Sequence, residues 1–149
     1  MFIKAVTAFL LLPTMVAFVV PQIINQNSQW NFSEQNTFGL ILLLLGSSIL
    51  ISCVVIFYTS GKGTLAPWNP PKHLVQTGLY KYSRNPMYVG VLLIMLGWTL
   101  YYGSWNLMIY SFIFSVAFNI RVKRFEEPWL LENFGESWLK YKSEVRRWI

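Results

Sequence analysis

Two groups of residues carry the side chains that could do chemistry. The first is the stretch YKYSRNPMY at residues 80–88, which gathers tyrosines, cations and an Asn-Pro pair at the start of an apolar segment. The second is the adjacent pair Glu126 and Glu127, close to Arg121 and Arg124. Carboxylates at the edge of an apolar segment are costly to desolvate unless they are paired. The glutamates therefore either form ion pairs with these arginines or bind a cationic ligand.

Several kinds of catalytic site are excluded by composition. The chain has one histidine, one cysteine and no aspartate, so it cannot assemble a metal-ligand set at a recognised spacing. A Ser-His-acid system is equally unsupported. The sequence predicts no metal site and leaves the polar stretch and the glutamate pair as the candidates.

Four apolar segments must position these residues. The segment Phe38–Tyr58 contains no charge and, at about 1.5 Å per residue, is long enough to cross a hydrocarbon core of about 30 Å. Three shorter apolar runs are Ala5–Val20, Met87–Tyr102 and Trp105–Ile120. With 12% charged residues and a mean hydropathy of +0.42, the chain reads as one membrane domain. The predicted fold is an all-α integral membrane bundle over residues 1–149, with spans at about 4–20, 38–58, 86–102 and 104–121.

The first apolar run has a second interpretation. Lys4 precedes it, as in a secretory signal peptide, but no small-residue cleavage site follows and Pro21-Gln22 is expected to begin a loop. A retained helix is favoured. An ion pump or channel is disfavoured, because the four apolar runs contain no ionisable residue.

Charge placement gives the expected orientation. All 12 cations precede the first segment, lie between the second and third, or follow the fourth. The alternate connections, residues 21–37 and the turn at Gly103, carry only Glu34. Because Lys and Arg collect in short cytoplasmic loops, both termini, the cytoplasmic loop 59–85 and the YKYSRNPMY stretch are expected to face the cytoplasm.

The third apolar segment has a clear start signal. Asn85 suits the N-cap and Pro86 the first helical position, so the helix should present free N–H groups to the cytoplasm and favour an anion such as a ligand carboxylate. In the alternative interpretation this pair only begins the helix, Arg84 reaches lipid phosphates and the tyrosines form an interfacial belt.

The C-terminal segment 122–149 changes character. Its large apolar residues recur at spacings of three and four, which predicts one face of an amphipathic helix on the membrane surface. They are Phe134, Trp138, Tyr141, Val145 and Trp148. Pro128 should end or kink the preceding helix near Glu126-Glu127.

Two longer stretches carry a family resemblance. LVQTGLYKYSRNPMYVG (74–90) and EEPWLLENFGESWLKYKSEVRRW (126–148) resemble the isoprenylcysteine carboxyl methyltransferase and phospholipid methyltransferase superfamily, in order and in membrane context. The resemblance covers about the C-terminal half of the chain. It implies a small helical membrane enzyme that uses S-adenosylmethionine, forms S-adenosylhomocysteine and needs no metal.

The resemblance also implies the site residues. The cofactor pocket would comprise Lys72, His73, Leu74, Val75, Tyr80, Arg84, Asn85, Pro86, Met87 and Tyr88. The catalytic residues would be Glu126, Glu127 and Arg121.

The chain departs from the family pattern at three positions. Asn85 stands where the eukaryotic carboxyl methyltransferases commonly have histidine, which suits a bacterial-type branch and a bacterial inner membrane. Val122 occupies a position where some members have arginine, for which Arg121 or Arg124 is the candidate substitute. Arg146 stands where the closing motif has proline.

The expected function is methyl transfer to a hydrophobic or membrane-resident acceptor, with membrane lipids as neighbours and no nucleic acid partner. One alternative is a phospholipid N-methyltransferase or small-thiol S-methyltransferase of the same superfamily. Another is a non-enzymatic scaffold or lipid-binding subunit. The sequence leaves open whether oxygen, nitrogen or sulfur is methylated.

Overall fold

Five helices, joined by turns and short loops, make up the described part of the chain. The computed structural model describes residues 14–27, 29–32, 34–61 and 72–149. The helices are α1 (Met15–Gln26), α2 (Phe38–Gly61), α3 (Pro86–Tyr102), α4 (Trp105–Arg121) and α5 (Glu127–Glu144). A 3₁₀ turn, Gly78–Lys81, precedes α3. The start of the first predicted span and the Pro-rich centre of the loop lie outside the described residues.

The all-α prediction is confirmed for the part of the chain that the structure describes. It contains no β-strand, only an isolated bridge between Asn31 and Ser104. Two helical stretches, Phe38–Gly61 and Trp105–Glu144, are long and apolar enough by length and composition to cross a membrane. Met15–Gln26 and Pro86–Tyr102 are apolar but shorter. The count of four spans stays a prediction.

The helix α1 extends further than its sequence indicates. Pro21 was expected to open a loop, yet the helix continues to Gln26. A wide π-helical turn, Met15–Val19, comes first, and Pro21 then stands in the first turn of the α-helical part. Proline is tolerated there because the wide turn before it changes the hydrogen-bond pattern at the point where the N–H of an α-helical residue would be needed.

The helices α2 and α3 pack backbone to backbone. A Cβ atom on Gly39 would lie 2.5 Å from the carbonyl oxygen of Gly97, and one on Gly46 would lie 2.6 Å from that of Gly90. Real Cβ atoms essentially never come so close. Glycine is therefore required at Gly39 and Gly46 for this helix pair to approach as it does.

The N-terminal end of α2 and the C-terminal end of α3 meet at one end of the bundle. The N–H of Phe32 donates to the carbonyl of Gly103 at 2.7 Å, and the N–H of Trp105 donates to that of Trp30 at 3.1 Å. The helix α3 has 17 residues and so spans roughly 26 Å. The polar stretch before α3 consequently lies at the opposite end of the bundle.

A π-helical turn joins α4 to α5 without a break. It covers Val122–Glu126, and the N–H of Glu127 donates to the carbonyl of Val122, five residues back. The expected interruption at Pro128 is thus a widened turn rather than a helix end. The kink in α5 comes later, at Gly135, where φ is 49° and ψ is −124°.

The C-terminal helix uses part of its predicted apolar face to pack against the loop before α3. Trp138 and Tyr141 are buried, and the Tyr141 hydroxyl donates to the carbonyl of Tyr80 at 2.6 Å. The guanidinium of Arg84 lies over the Trp138 ring, 5.3 Å from its centroid. The helix is therefore tied to the polar stretch; its position relative to a membrane stays a prediction.

Candidate active site

The adjacent glutamates are directed to different partners by the π-helical turn. Residues five apart lie about 140° apart around an α-helix, so Arg121 and Glu126 would not share a face there. In a π-helical turn, where hydrogen bonds join residues five apart, they do. The turn therefore places Glu126 beside Arg121 and sends Glu127 to a separate group of residues.

Glu126 belongs to a partly exposed cluster with Tyr88 and Arg121. The Tyr88 hydroxyl donates a short hydrogen bond to Oε1 of Glu126. Nε of Arg121 donates to the same oxygen at 3.0 Å and to the Tyr88 hydroxyl at 3.1 Å. Both hydrogen bonds to Glu126 end on Oε1, so Oε2 has no donor among the residues the structure describes. The Glu126 side chain is 31% exposed and that of Arg121 57%, so a ligand can reach both.

Glu127 is saturated by two arginines, in a group here called the clasp: Arg84, Glu127 and Arg147. Nε and Nη2 of Arg147 donate to Oε1 and Oε2 of Glu127 at 2.7 and 3.0 Å. Nη1 of Arg84 lies 3.1 Å from Oε1. The carboxyl is only 10% exposed. Such a bidentate pair is both strong and geometrically specific, so Glu127 holds chain segments together.

The last residues of the chain continue this connection. We call Val145–Trp148 the strap. The carbonyl of Arg147 accepts from Nδ2 of Asn85 at 2.9 Å and from the Ser83 hydroxyl at 3.4 Å. The N–H of Arg84 donates to the carbonyl of Arg146 at 2.9 Å. The strap is thus fixed against the residues immediately before α3.

Asn85 stands at the predicted N-cap position, with Pro86 as the first helical residue. Its side chain makes no capping hydrogen bond; instead its Nδ2 donates to the strap. The first N–H groups of a helix lack intrahelical acceptors, so those of Met87 and Tyr88 are not satisfied within α3. The helix start favours an anion, as the sequence predicts.

The charges of the clasp shift the pKa values of its members. Burial by itself raises the pKa of the Glu127 carboxyl, but the hydrogen bonds from Arg147 and the charge of Arg84 outweigh burial and hold the pKa below its usual value. Burial lowers the pKa of Arg84, and the nearby charge of Arg147 acts in the same direction against the attraction of Glu127. Glu127 therefore stays ionised near neutral pH.

Two of the residues predicted to bind the cofactor are buried in a hydrophobic cluster and do not line an open surface. Val75 and Tyr80 pack around Cys53, with the Tyr80 ring 5.7 Å from that of Phe57. Burial raises the pKa of the Tyr80 hydroxyl well above its usual value. Their packing anchors the loop to α2, and their part in cofactor binding stays a prediction.

The remaining predicted cofactor residues occupy varied positions. Lys72 and His73 are exposed and Leu74 is partly buried. The N–H of Lys72 donates to the carbonyl of Gly61 at 3.0 Å, which closes the base of the loop. Met87 packs against the cluster around Cys53 and against a second buried cluster that includes Leu43 and Ile94, and Pro86 is buried. The structure therefore brings together Tyr88, Arg121 and Glu126 as one group, and Arg84, Asn85 and Glu127 as another.

Comparison with known proteins identifies the family. The model of the family described as phospholipid methyltransferase matches residues 11–137. This chain belongs to the phospholipid methyltransferase family. It is 31% identical over 116 residues to a protein-S-isoprenylcysteine O-methyltransferase of Schizosaccharomyces pombe, a match that covers 76% of this chain and 49% of the relative. The chain therefore spans about half the length of that relative.

Two further relatives match shorter parts of the chain. A protein-S-isoprenylcysteine O-methyltransferase of Saccharomyces cerevisiae is 36% identical over 73 residues, which is 48% of this chain and 30% of the relative. An uncharacterized protein of Haemophilus influenzae is 39% identical over 64 residues, 42% of this chain and the whole of the relative.

The phospholipid methyltransferase family implies S-adenosylmethionine, and the residues present fit its amino-acid end. An ammonium group or a sulfonium is complemented by the open carboxylate oxygen of Glu126. A carboxylate is complemented by the start of α3 and by the buried Arg84, whose Nε and Nη1 have no hydrogen-bond acceptor. Among the described residues, no group of three or more potential metal ligands is present.

Sequence reasoning missed one member of this site. Arg147 makes the bidentate contact to Glu127, yet it was not among the predicted site residues. The available signal was its place in the closing motif, next to the non-matching Arg146. Of the candidate substitutes for an arginine at Val122, Arg121 contacts Glu126, whereas Arg124 is exposed. Val122 itself is buried.

Proposed function

We propose that this chain is an S-adenosylmethionine-dependent methyltransferase embedded in a membrane, acting on a hydrophobic or membrane-resident acceptor. The observation that carries the proposal is the open Oε2 of Glu126, fixed beside Tyr88 and Arg121 at the start of α3. Family membership and the two apolar membrane-length stretches support it.

The donor supplies an electrophilic methyl group when it is bound, so the protein needs neither a metal nor a nucleophile of its own. Glu126 attracts the positive end of the donor, and Tyr88 and Arg121 keep the carboxylate in one orientation. Arg84 and the N-terminus of α3 attract the negative end. The residues thus contribute orientation and exclusion of water, which together account for much of the barrier reduction in such a transfer.

An aromatic row leads from this site along α4 and suits a lipophilic acceptor. The Tyr88 ring is 4.6 Å from that of Phe118, which is 5.6 Å from Phe114, and Phe114 is 4.7 Å from Tyr110. These half-buried rings continue from the polar site into the apolar part of the bundle. The acceptor group is a carboxylate, as in isoprenylcysteine methylation, an amine, as in phospholipid methylation, or a thiol.

We propose four membrane spans with both termini in the cytoplasm. All 12 cations then lie on the cytoplasmic side, and the site opens where a water-soluble donor is present. The acceptor reaches the same site from the lipid, so the two substrates approach by separate routes.

Glu126→Gln tests the proposal. The purified protein is incubated with methyl-labelled S-adenosylmethionine and a membrane extract, and the labelled product is identified. The wild type should label a lipophilic product, and Glu126→Gln should lose at least about 100-fold of the rate, as expected when a preorganised charge is removed. Glu136→Gln, which removes an exposed carboxylate from α5, should keep wild-type activity.

Two results would contradict the proposal. One is a wild-type protein that shows no saturable binding of S-adenosylmethionine by calorimetry. The other is a Glu126→Gln variant as active as Glu136→Gln, which would leave the cluster around Glu126 without a catalytic part.

A further inference from the structure

The aromatic row formed by Tyr88, Phe118, Phe114 and Tyr110 has a closed far end. Its four rings are half-buried, so a hydrocarbon chain can lie against them. Leu107, one turn before Tyr110 on α4, is by contrast only 1% exposed. The space beside the row therefore ends near Tyr110.

The helix α1 closes this end of the row. The Tyr110 hydroxyl donates to the carbonyl of Val16 at 2.8 Å. Nearer the opposite end of the bundle, the Tyr102 hydroxyl donates to Oε1 of Gln22 at 2.7 Å. From Val16 to Gln22, α1 thus runs away from the row along α4. Pro21, between these two contacts, is fully buried, so α1 fills the space past Tyr110.

Pro21 explains why side chains fasten α1 at this point. Proline has no N–H, so it leaves a carbonyl free four residues back in an α-helix and five residues back in a π-helical turn. Those carbonyls belong to Ala17 and Val16, where the π-helical turn of α1 passes into its α-helical part. Nε1 of Trp98 donates to the first at 2.9 Å, and the Tyr110 hydroxyl donates to the second. The Tyr110 ring is therefore held in one place across the end of the row.

The length of the row determines the length of a chain that fits it. Tyr110 and Phe118 are eight residues apart on α4, which is about 12 Å at about 1.5 Å per residue. The Tyr88 ring, 4.6 Å from that of Phe118, extends the row to the site at Glu126. The row is therefore roughly 16 Å long. An extended carbon chain advances about 1.2 Å per bond, as the polypeptide backbone does, so about 13 carbon atoms would fill the row.

We propose that Tyr110 is a specificity-determining residue that limits the acceptor's hydrocarbon chain to about 13 carbon atoms, and that its bond to α1 keeps it in place. The proposal rests on the proposed function, since the acceptor's reactive group must lie at Glu126 while its chain follows the row. A shorter chain buries less apolar surface and loses about fourfold in affinity per methylene group. A longer chain meets the Tyr110 ring and α1 and must bend out of the row.

The dependence of methyl transfer on chain length tests this inference. Three series of acceptors with linear chains cover the three candidate acceptor groups: N-acetyl-S-alkylcysteines, alkylamines and alkanethiols. Each compound is presented with methyl-labelled S-adenosylmethionine at a fixed mole fraction in detergent micelles, so that its partition is the same for every variant. With the wild type, kcat/KM in the accepted series should rise up to about 13 carbon atoms and fall several-fold for chains about four atoms longer.

Tyr110→Ala and Phe112→Ala form a matched pair, since each removes an aromatic ring from α4. The Phe112 side chain is 70% exposed and lies outside the row. Tyr110→Ala frees about one helical turn of the path, roughly 5 Å, so the optimal chain should become longer by about four carbon atoms. Phe112→Ala should keep the wild-type optimum.

Tyr110→Phe tests the bond to α1 and changes the fold least. It keeps the ring and loses only the hydrogen bond to Val16, so the fall in kcat/KM beyond the optimum should become less steep. Trp98→Phe removes the other side-chain bond to α1 from outside the row and should keep the wild-type dependence. Each comparison is a ratio of rates within one variant, so a smaller amount of folded protein does not alter it.

The outcomes separate the two proposals. A wild type that methylates no compound of the three series and no component of a membrane extract overturns the proposed function, and this inference with it. A wild type whose kcat/KM does not fall for the long chains, as expected if lipid or another segment occupies the row, overturns the inference alone. The same holds if Tyr110→Ala keeps the wild-type optimum or Phe112→Ala shifts it equally. Identical profiles for Tyr110→Phe and the wild type overturn the part assigned to α1.

Discussion

Glu126 and Glu127 are neighbours in the chain, yet their carboxylates differ in exposure and in hydrogen bonding. Glu126 has an open oxygen and a partly exposed side chain, as a ligand-binding group requires. Glu127 has both oxygens bound by arginine and is nearly buried. We therefore propose that Glu126 binds the ligand and that Glu127 fastens chain segments together.

Because the pKa of Glu127 is lowered in the folded protein, the stability of the protein should depend on pH in the acidic range. Because the pKa of Glu127 in the folded protein lies below its usual value, the ion pairs stabilise the fold fully at pH values above that usual pKa. This contribution is lost as the pH falls through the lowered pKa. We expect the midpoint of thermal unfolding, measured in detergent from pH 7 to pH 3, to fall less steeply for Glu127→Gln than for wild type.

The same variant should be less stable at pH 7 by about 3 kcal/mol, because the buried guanidinium of Arg84 and the partly exposed guanidinium of Arg147 lose their common partner. Glu136→Gln is the control and should reproduce the wild-type dependence on pH. Parallel acid profiles for Glu127→Gln and the wild type would show that the clasp does not stabilise the fold.

The composition of the site was largely predictable, but its pairing was not. Tyr88, Arg121 and Glu126 all followed from the sequence, since each lies in a motif or beside one. Glu126 and Glu127 have different partners because of the helical register, and an unexpected π-helical turn sets that register. Arg147 was missed because its partner lies 20 residues away and the contact needs the kinked path of α5.

At the scale of elements, the closest packing is between α2 and α3. Their contact depends on glycines at matching heights, so backbone atoms rather than side chains form the interface. Small residues that let backbones approach are the usual means of associating helices in membranes. The same helix α3 begins at the candidate site, so this contact fixes the depth at which Tyr88 is presented.

Gly46→Ala should disrupt that interface. The added Cβ would lie 2.6 Å from the carbonyl oxygen of Gly90 and 2.9 Å from the backbone nitrogen of Ile94, so the helices must separate. We expect a loss of about 1–3 kcal/mol, typical of overpacking, measured by thermal unfolding in detergent.

Ser48→Ala provides the comparison on the same helix. Ser48 is exposed and bonds only within α2, to the carbonyl of Leu44. Removal of the Ser48 hydroxyl should change the free energy of unfolding by less than about 0.5 kcal/mol. Equal stability of Gly46→Ala and Ser48→Ala would contradict the close backbone packing.

Helix limits were predicted best where the signals were local. The bounds of α3 agree with the sequence because Asn85-Pro86 and Gly103 mark its two ends. The glycine contacts between α2 and α3 were not foreseen, since nothing in either segment alone reveals which faces meet. Likewise, α1 passes through Pro21 because a π-helical turn precedes it, a feature without a sequence signal.

At the scale of the whole molecule, the two ends of the bundle differ in chemistry. One end ties the strap to the polar stretch through arginines and a glutamate. The other end pairs residues 30–32 with the turn at Gly103 and carries the rings of Trp30, Phe32 and Trp105. Tryptophan and tyrosine favour the membrane interface, whereas excess positive charge marks the cytoplasmic side.

This polarity predicts the accessibility of introduced cysteines in intact cells. In a Cys53→Ser background, Ser143→Cys and Lys81→Cys should react with a membrane-impermeant maleimide only after the cytoplasmic side is opened. Gln35→Cys, at the opposite end, should react from outside. Reaction of Ser143→Cys and Gln35→Cys from the same side would contradict the proposed orientation.

The π-helical turn also has a genetic consequence. Relative to a continuous α-helix, it accommodates one additional residue and keeps the residues after it in the phase they would have without that residue. A one-codon deletion within Val122–Phe125 should therefore convert the turn to α-helix and leave the surroundings of the two carboxylates largely unchanged. A one-codon insertion within α4, which has no such turn, would instead rotate everything after it by about 100°. The different surroundings of Glu126 and Glu127 thus depend on helical phase, and the turn is the one place in this helix where a change of length by one residue should be tolerated.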